Sequence, residues 1–203
     1  MVSSPQKGSQ AWATRQKVRD MRIRAFALIS MLTLLAMSPS ACLGKDPCLK
    51  KNLPDAVKKL LEKEYPEWRL KKVEDLQGYD REVWLRVNPG LCPGIAGGRF
   101  ELDSATSYAL LLIPEETPET GYRLVVARKS PGRGYELRVL DEHTDWNSRS
   151  IVVKRVPAGE YSNAQDETKI QLKLDAVLLE RLEAWTVLYY YGHDEYRRMV
   201  LTE

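Results

Sequence analysis

Two histidines are the residues of this 203-residue chain best suited to acid–base chemistry. His143 lies in the acidic run 141–146 (DEHTDW), whose carboxylates could orient its imidazole for general-base work. No nucleophile is adjacent in the sequence, and the run has the composition of a loop, so we interpret it as a solvated acidic turn. His193 precedes Asp194 at the tip of a predicted hairpin, and we expect its side chain to be exposed.

Other patterns that could carry catalysis are weaker. The segment 114–120 (PEETPET) holds three glutamates, and paired carboxylates can cleave glycosidic bonds, but its prolines indicate a connection between strands. The chain has no G-x-S-x-G nucleophile elbow, no phosphate-binding loop and no zinc-type cysteine spacing. We therefore predict no catalytic residues, metal or cofactor. Whether the protein is an enzyme stays open, and a non-catalytic protein is favoured.

The densest aromatic group lies near the end of the chain and comprises Trp185, Tyr189, Tyr190, Tyr191 and Tyr196. Alternation along a strand sends Trp185, Tyr189 and Tyr191 to one side and Tyr190 to the other. One side must join the core. The other could present Tyr190 and Tyr196 to a partner, because tyrosine is favoured at interfaces. Cross-strand packing that stabilises the sheet is the alternative interpretation.

Hydrophobic spacing predicts the elements that position these groups. In 52–68 (NLPDAVKKLLEKEYPEW), apolar residues recur from Leu53 at the spacing of one helix face, with Pro54 in the first turn and Pro66 at the end. Most other segments have strand patterns separated by turn residues, and these are 81–87, 107–113, 122–129, 135–141, 150–156, 168–174, 184–191 and 195–201, with 176–182 ambiguous. We predict an α+β fold, in which an N-terminal amphipathic helix packs on a mainly antiparallel β-sheet.

The start of the chain has the pattern of an export signal. The thirteen uncharged residues 25–37 (AFALISMLTLLAM) are too few to span a bilayer, but they fit the apolar part of a signal peptide. A start at Met21 gives the short basic region MRIR. We therefore predict that 1–20 is a disordered upstream extension, that 21–41 is a signal peptide, and that 42–203 is a single α+β domain.

Three cysteines bear on how the chain is processed. The residues before Cys42 partly fit a lipoprotein signal, so Cys42 is a candidate for lipidation, and ordinary cleavage at this point is the alternative. An exported chain meets an oxidising compartment, where thiols tend to pair. Lipidation of Cys42 would leave Cys48 and Cys92 as an even pair, and we predict a disulfide between them. The alternative is a free thiol at Cys42 or Cys48.

Charge excludes one class of partner. Residues 1–41 carry a net charge of +5 and the whole chain +3, so residues 42–203 carry −2. The basic character belongs to the leader, and no basic patch in the remainder argues for binding nucleic acid.

The segment 92–113 (CPGIAGGRFELDSATSYALLLI) resembles part of a group of uncharacterised exported bacterial proteins. In that group a single FG-GAP-like calcium loop, with the pattern F-x-G-D-G-x-x-D, leads into a strand. The shared frame consists of 92–94 (CPG), Gly98, Phe100 and the apolar run 108–112. Short pieces elsewhere in 52–203 also fit the group.

The loop that the resemblance implies is degenerate in this chain. Calcium takes six to eight oxygen ligands, many from carboxylates. Glu101 and Asp103 are present, but Leu102 and Ser104 replace the two glycines and Ser107 replaces the final acid. We therefore predict no metal site. Instead we expect a turn that positions the following strand and holds Cys92 near Cys48.

Three functions are compatible with these patterns. The first is an extracytoplasmic (periplasmic, secreted or lipid-anchored), non-catalytic and monomeric module that binds an unknown protein or glycan, with membrane contact only through a lipid on Cys42. The second is an inhibitor or immunity-type protein that blocks an exported enzyme with a protruding loop, 114–120 or 141–146. The third is a hydrolase of unrecognised type, which requires His143 or His193 to meet a nucleophile and an acid.

Overall fold

Eleven β-strands and two α-helices lie in the part of the chain that the structure, a computed structural model, describes. The described residues are 47–48, 53–102, 105–130, 132–163, 166 and 168–202. All of them belong to one compact unit, Gly44–Glu203. The predicted extension 1–20, the signal peptide 21–41 and the lipidation candidate Cys42 fall outside the described residues.

A large antiparallel sheet forms the first half of the fold. Its strands are β1 (Trp68–Leu70), β2 (Ile95–Gly98), β3 (Ser107–Pro114), β4 (Thr120–Ser130) and β5 (Gly134–Asn147). The order is β1-β3-β4-β5, and β2 pairs with the first half of β3 while β1 pairs with its second half. The long β4–β5 hairpin therefore extends the sheet to one edge.

A second, smaller antiparallel sheet follows. Its strands are β6 (Ile151–Val156), β9 (Ala176–Arg181), β10 (Trp185–Gly192) and β11 (Glu195–Thr202), in the order β11-β10-β9-β6. Between β6 and β9 the chain makes a separate hairpin of β7 (Gly159–Ser162) and β8 (Lys169–Leu172).

The two sheets pack face to face around the main core. Residues from both inner faces form it, and these are Ala96, Phe100, Ala109, Leu111, Ile113, Tyr122, Leu124, Val126, Ile151, Val153, Val177, Leu179, Val187 and Tyr189. The outer face of the large sheet is covered by helix α1 (Asp55–Glu64), whose Val57 packs with Leu110, Leu112 and Val125. Since β3 is covered on both faces, its sequence is a nearly continuous apolar run.

The prediction of an α+β fold with a mainly antiparallel sheet is confirmed, but the prediction of a strand at 81–87 is wrong. Those residues lie in helix α2 (Gly78–Val87). Alternation of Val83, Leu85 and Val87 predicted the strand, yet Leu85 and Val87 are exposed and only Trp84 is buried. A helix forms its backbone hydrogen bonds within itself, so one buried side chain is enough to hold it here. A strand would need neighbouring strands as hydrogen-bond partners.

The predicted cysteine pair is present in the structure as a disulfide between Cys48 and Cys92. Both cysteines are buried beside Trp84 of α2 and Val152 of β6. The Trp84 indole also donates a hydrogen bond to the carbonyl of Leu91 at 3.0 Å. The disulfide therefore holds the start of the described chain against α2 and the small sheet.

Candidate functional site

A pocket of about 540 Å³ opens between the β4–β5 hairpin of the large sheet and strands β10 and β11 of the small sheet. We call it the aromatic pocket, because four of its lining residues carry aromatic rings. Its lining residues are Tyr122, Asp141, His143, Trp146, Ala184, Trp185, Val187, Arg198 and Val200. The volume lies within the range of about 300–1,000 Å³ that is typical of small-ligand sites.

A β-bulge at Leu140 turns the polar residues of β5 toward this pocket. Val125 of β4 pairs with Val139, but its neighbour Leu124 pairs with Asp141, so Leu140 is an extra residue on β5. Strict alternation from Val139 would place Asp141 on the face that α1 covers. The extra residue reverses the alternation, so Asp141 and the following His143 share the inner face with Leu124.

A second irregularity, at Gly121, positions Trp146. Thr120 pairs with Asn147 and Tyr122 with His143, so the single residue Gly121 lies opposite three residues of β5. Gly121 has φ +107°, and a Cβ at this position would lie 2.6 Å from the carbonyl oxygen of His143. Only glycine fits this backbone and this close approach. The irregularity brings the Trp146 indole back over the His143 ring, with centroids 3.8 Å apart and planes 15° apart.

Asp141, which lines the pocket, accepts hydrogen bonds from three neighbouring groups. The hydroxyls of Tyr122 and Tyr189 donate to its Oδ2 at 3.0 and 2.6 Å, and the Glu142 amide donates to its Oδ1 at 2.9 Å. The Nε2 atom of His143 lies 3.7 Å from the same Oδ1, which is too far for a direct hydrogen bond. Through Tyr122 on β4 and Tyr189 on β10, the Asp141 carboxylate thus links the two sheets.

Burial determines the protonation of the two phenols. Desolvation, followed by the contact with the Asp141 carboxylate, raises the pKa of both Tyr122 and Tyr189 above the ordinary value of a phenol. Both hydroxyls therefore remain donors at neutral pH. Arg198 on β11 pairs directly with Tyr189 on β10, and its exposed guanidinium places a positive charge at the pocket.

Aromatic rings enclose the rest of the pocket. Trp146 meets Trp185 of β10 at 5.8 Å with planes 62° apart, and it meets Tyr122 at 6.3 Å with planes 61° apart. Trp146 remains 39% exposed although His143 supports its ring. The pocket therefore combines a supported, accessible indole with a carboxylate, an imidazole and a guanidinium.

The interpretation of His143 as part of a solvated turn is wrong. Residues 141–146 lie in β5, and His143 lines the pocket beside Asp141. The other histidine, His193, is exposed in the two-residue turn between β10 and β11, as expected. Of the two histidines, His143 therefore lies beside a carboxylate in a pocket and His193 does not.

The residues predicted as a degenerate metal loop or a partner surface lie elsewhere. Asp103 falls outside the described residues. Glu101 is buried and accepts a hydrogen bond of 2.9 Å from the hydroxyl of Tyr196. Burial, followed by the charge of Glu101, raises the pKa of Tyr196. Tyr190 is half-buried and packs against Leu188 and its neighbours on the outer side of the small sheet.

Tyr122, Trp146 and Arg198 are pocket residues that no sequence pattern singled out. One signal was available, because the adjacent apolar residues Val139 and Leu140 break the alternation of β5. Such a break predicts a bulge, and a bulge changes which residues face inward. The approach of β11 to β5, which brings Arg198 to the site, depends on packing between the sheets and has no local signal.

The pocket lacks part of a hydrolytic site. Among the described residues that line it, none is serine, threonine or cysteine, and Asp141 is the only carboxylate. Glycoside hydrolysis with two carboxylates would need a second acid within about 10 Å. Glu142 points to the opposite face, where it pairs with Arg123. The arrangement can therefore hold a ligand by stacking and hydrogen bonds.

Comparison with known proteins found no protein-family model, no curated protein and no solved structure that matches the chain. The resemblance to exported proteins with an FG-GAP-like loop thus stays a prediction. Within the described residues, no group of three or more His, Cys, Asp or Glu side chains is placed to hold a metal ion. None of the described helices is long and apolar enough to cross a lipid bilayer.

Proposed function

We propose that the protein is an exported, non-catalytic binding module that holds part of its partner in the aromatic pocket. One observation carries the proposal: aromatic, acidic and basic side chains from both sheets converge on a pocket of about 540 Å³ whose described lining holds no serine, threonine or cysteine and only one carboxylate. Sites with mostly apolar walls and a few convergent polar groups are the usual places where ligands bind.

Export is supported by the leader and by the disulfide. Disulfides persist in oxidising compartments and are rare in the cytosol. The pair Cys48–Cys92 therefore agrees with a chain that loses residues 21–41 on export. On this proposal Cys42 is lipidated, or the chain is cleaved after Ser40 or Ala41 without a lipid, and the module acts as a monomer outside the cytoplasm.

The two alternatives receive less support. The inhibitor hypothesis needs a protruding loop, but residues 115–119 form a short turn held by Ser148, whose hydroxyl donates to the carbonyl of Pro118 and whose amide donates to that of Glu119. The hydrolase hypothesis gains His143 beside Asp141, yet the described lining holds no serine, threonine or cysteine for the imidazole to activate and no second carboxylate.

The binding proposal is tested with protein isolated from cells that express the full chain. Intact mass would report cleavage near Cys42, any acyl group, and the disulfide. Ligand classes (neutral sugars, short peptides, aromatic acids and quaternary amines) are then screened by thermal shift. We expect at least one class to stabilise the wild type and Tyr79→Ala, whose parent residue is 62% exposed on α2, but not Trp146→Ala. Identical responses of all three proteins, or no response to any class, would contradict the proposal.

A further inference from the structure

The charges around the aromatic pocket select against ionic ligands. Asp141 supplies one negative charge and Arg198 one positive charge to the lining. A ligand with a net charge of either sign would be attracted by one of these groups and repelled by the other. A quaternary ammonium group, which aromatic rings otherwise favour, would be repelled by Arg198. The balance favours a ligand without net charge.

The aromatic walls favour a ligand with a flat apolar face. The imidazole of His143 lies parallel to the indole of Trp146 and fixes its orientation, while Trp185 stands at a steep angle beside it. The partial exposure of Trp146 leaves part of this supported ring accessible. A ligand that lies on the indole would thus have Trp185 as a side wall.

The polar groups around these rings can bind hydroxyls. Oδ1 of Asp141 accepts the Glu142 amide and, as a carboxylate oxygen, has capacity for a further hydrogen bond. The 3.7 Å gap between that oxygen and Nε2 of His143 leaves the imidazole able to bond a ligand as well. Arg198 shares a side-chain hydrogen bond with Tyr189, and its guanidinium carries further N–H donors that a ligand can use. Donors and an acceptor therefore surround the indole.

From these features we infer that the aromatic pocket binds one ring of a neutral sugar, in particular a pyranose of a glycan. A pyranose has no net charge, has an apolar face of C–H groups that can stack on an indole, and has hydroxyls around its edge. Trp146 forms the platform, Trp185 the side wall, and His143 and Arg198 bind hydroxyls. Asp141 positions the site through Tyr122 and Tyr189. The inference rests on the proposed binding function and names its ligand class.

The test is a ligand-observed nuclear magnetic resonance titration of the purified protein, expressed from the full chain, with neutral methyl pyranosides of gluco, galacto, manno and N-acetylgluco configuration. We expect at least one sugar to bind with a millimolar dissociation constant. Trp146→Ala should weaken that binding at least about tenfold, and Arg198→Met, at an exposed position, about threefold or more. Tyr79→Ala, outside the pocket, should bind as the wild type does. Far-ultraviolet circular dichroism and the thermal unfolding midpoint would verify that each variant is folded.

Parallel titrations separate this inference from the proposed function. The added probes are phenylacetate, tetramethylammonium and a proline-rich peptide. If one of these binds in a way that depends on Trp146 while no sugar binds, the sugar inference is wrong and the binding function stands. If no probe of any class binds, both are wrong. Sugar binding that is unchanged in both Trp146→Ala and Arg198→Met would overturn the assignment of the site.

Discussion

Lys71 is a charged residue enclosed by the fold, since it directly follows β1 in the chain and its side chain is fully buried. Its ammonium donates one hydrogen bond of 2.6 Å, to the carbonyl of Ser148. Burial lowers the pKa of Lys71 to about 8 from a model-compound value of 10.5, and the nearby Asp75 opposes this shift only in part. The charged form is therefore less stable in the folded protein than in the unfolded chain.

This burial predicts that stability rises at moderately alkaline pH. Between about pH 8 and 10 the folded protein releases the Lys71 proton while the unfolded chain keeps it, so the free energy of unfolding increases with pH, by up to about 3 kcal/mol. Above about pH 10 the trend reverses, because Tyr122, Tyr189 and Tyr196 have raised pKa values and stay protonated only when folded. Urea unfolding at a series of pH values would measure this maximum.

The variant Lys71→Met identifies the group responsible. Methionine has a similar length without a titrating group, so the rise from pH 8 to 10 should disappear while the fall above pH 10 remains. The variant should also be less stable at every pH to the extent that the Ser148 carbonyl loses its hydrogen-bond donor, so the shape of the pH profile is compared and not its absolute height. A rise of equal size in Lys71→Met would show that another group titrates.

At the scale of elements, the irregularities of the β4–β5 hairpin build the pocket. We predict that Gly121→Ala destabilises the protein by at least about 2 kcal/mol and abolishes binding at the pocket, since alanine resists the positive φ and its Cβ would press on the His143 carbonyl. Gly132→Ala is the matched control. Gly132 also has a positive φ, +73°, but a Cβ there meets nothing within 4 Å.

Chemical denaturation and ligand titration of both variants would check this prediction. Gly132→Ala should lose about 1 kcal/mol and keep the pocket intact. If the two variants lose equal stability and bind alike, the close approach of Gly121 to β5 has no role in forming the site.

Local patterns predicted the elements better than they predicted the site. The apolar run of β3, the amphipathic face of α1 and the turn at His193 have signals within a few residues, and the structure contains all three elements. Helix α2 was missed because a short helix with one buried residue, Trp84, has the same alternation as a strand. The orientation of Asp141 depends on the extra residue Leu140, and the period-2 rule assumes that none exists.

For the molecule as a whole, the disulfide joins parts that strand pairing leaves separate. Cys48 precedes α1, whereas Cys92 lies just before β2, and the two cysteines are 44 residues apart. The bridged pair packs with Val73 and Leu76, and with Val152 of the small sheet. The amide of Val153 also donates a hydrogen bond of 2.8 Å to the carbonyl of Pro93. The segment at Cys92 thus lies where α2 and the small sheet meet.

We predict that replacing both cysteines, in Cys48→Ser/Cys92→Ser, lowers the free energy of unfolding by about 4 kcal/mol, because a cross-link over this separation restricts the unfolded chain. Urea unfolding with and without a reductant would measure the loss. The reductant should destabilise the wild type by a similar amount and leave the double variant unchanged. Cys42→Ser is the control, since it keeps the bridged pair and should respond to the reductant as the wild type does. A reductant effect that vanishes in Cys42→Ser would instead show that Cys42 takes part in the bridge, and the tie between α2 and the small sheet would then have to come from packing alone.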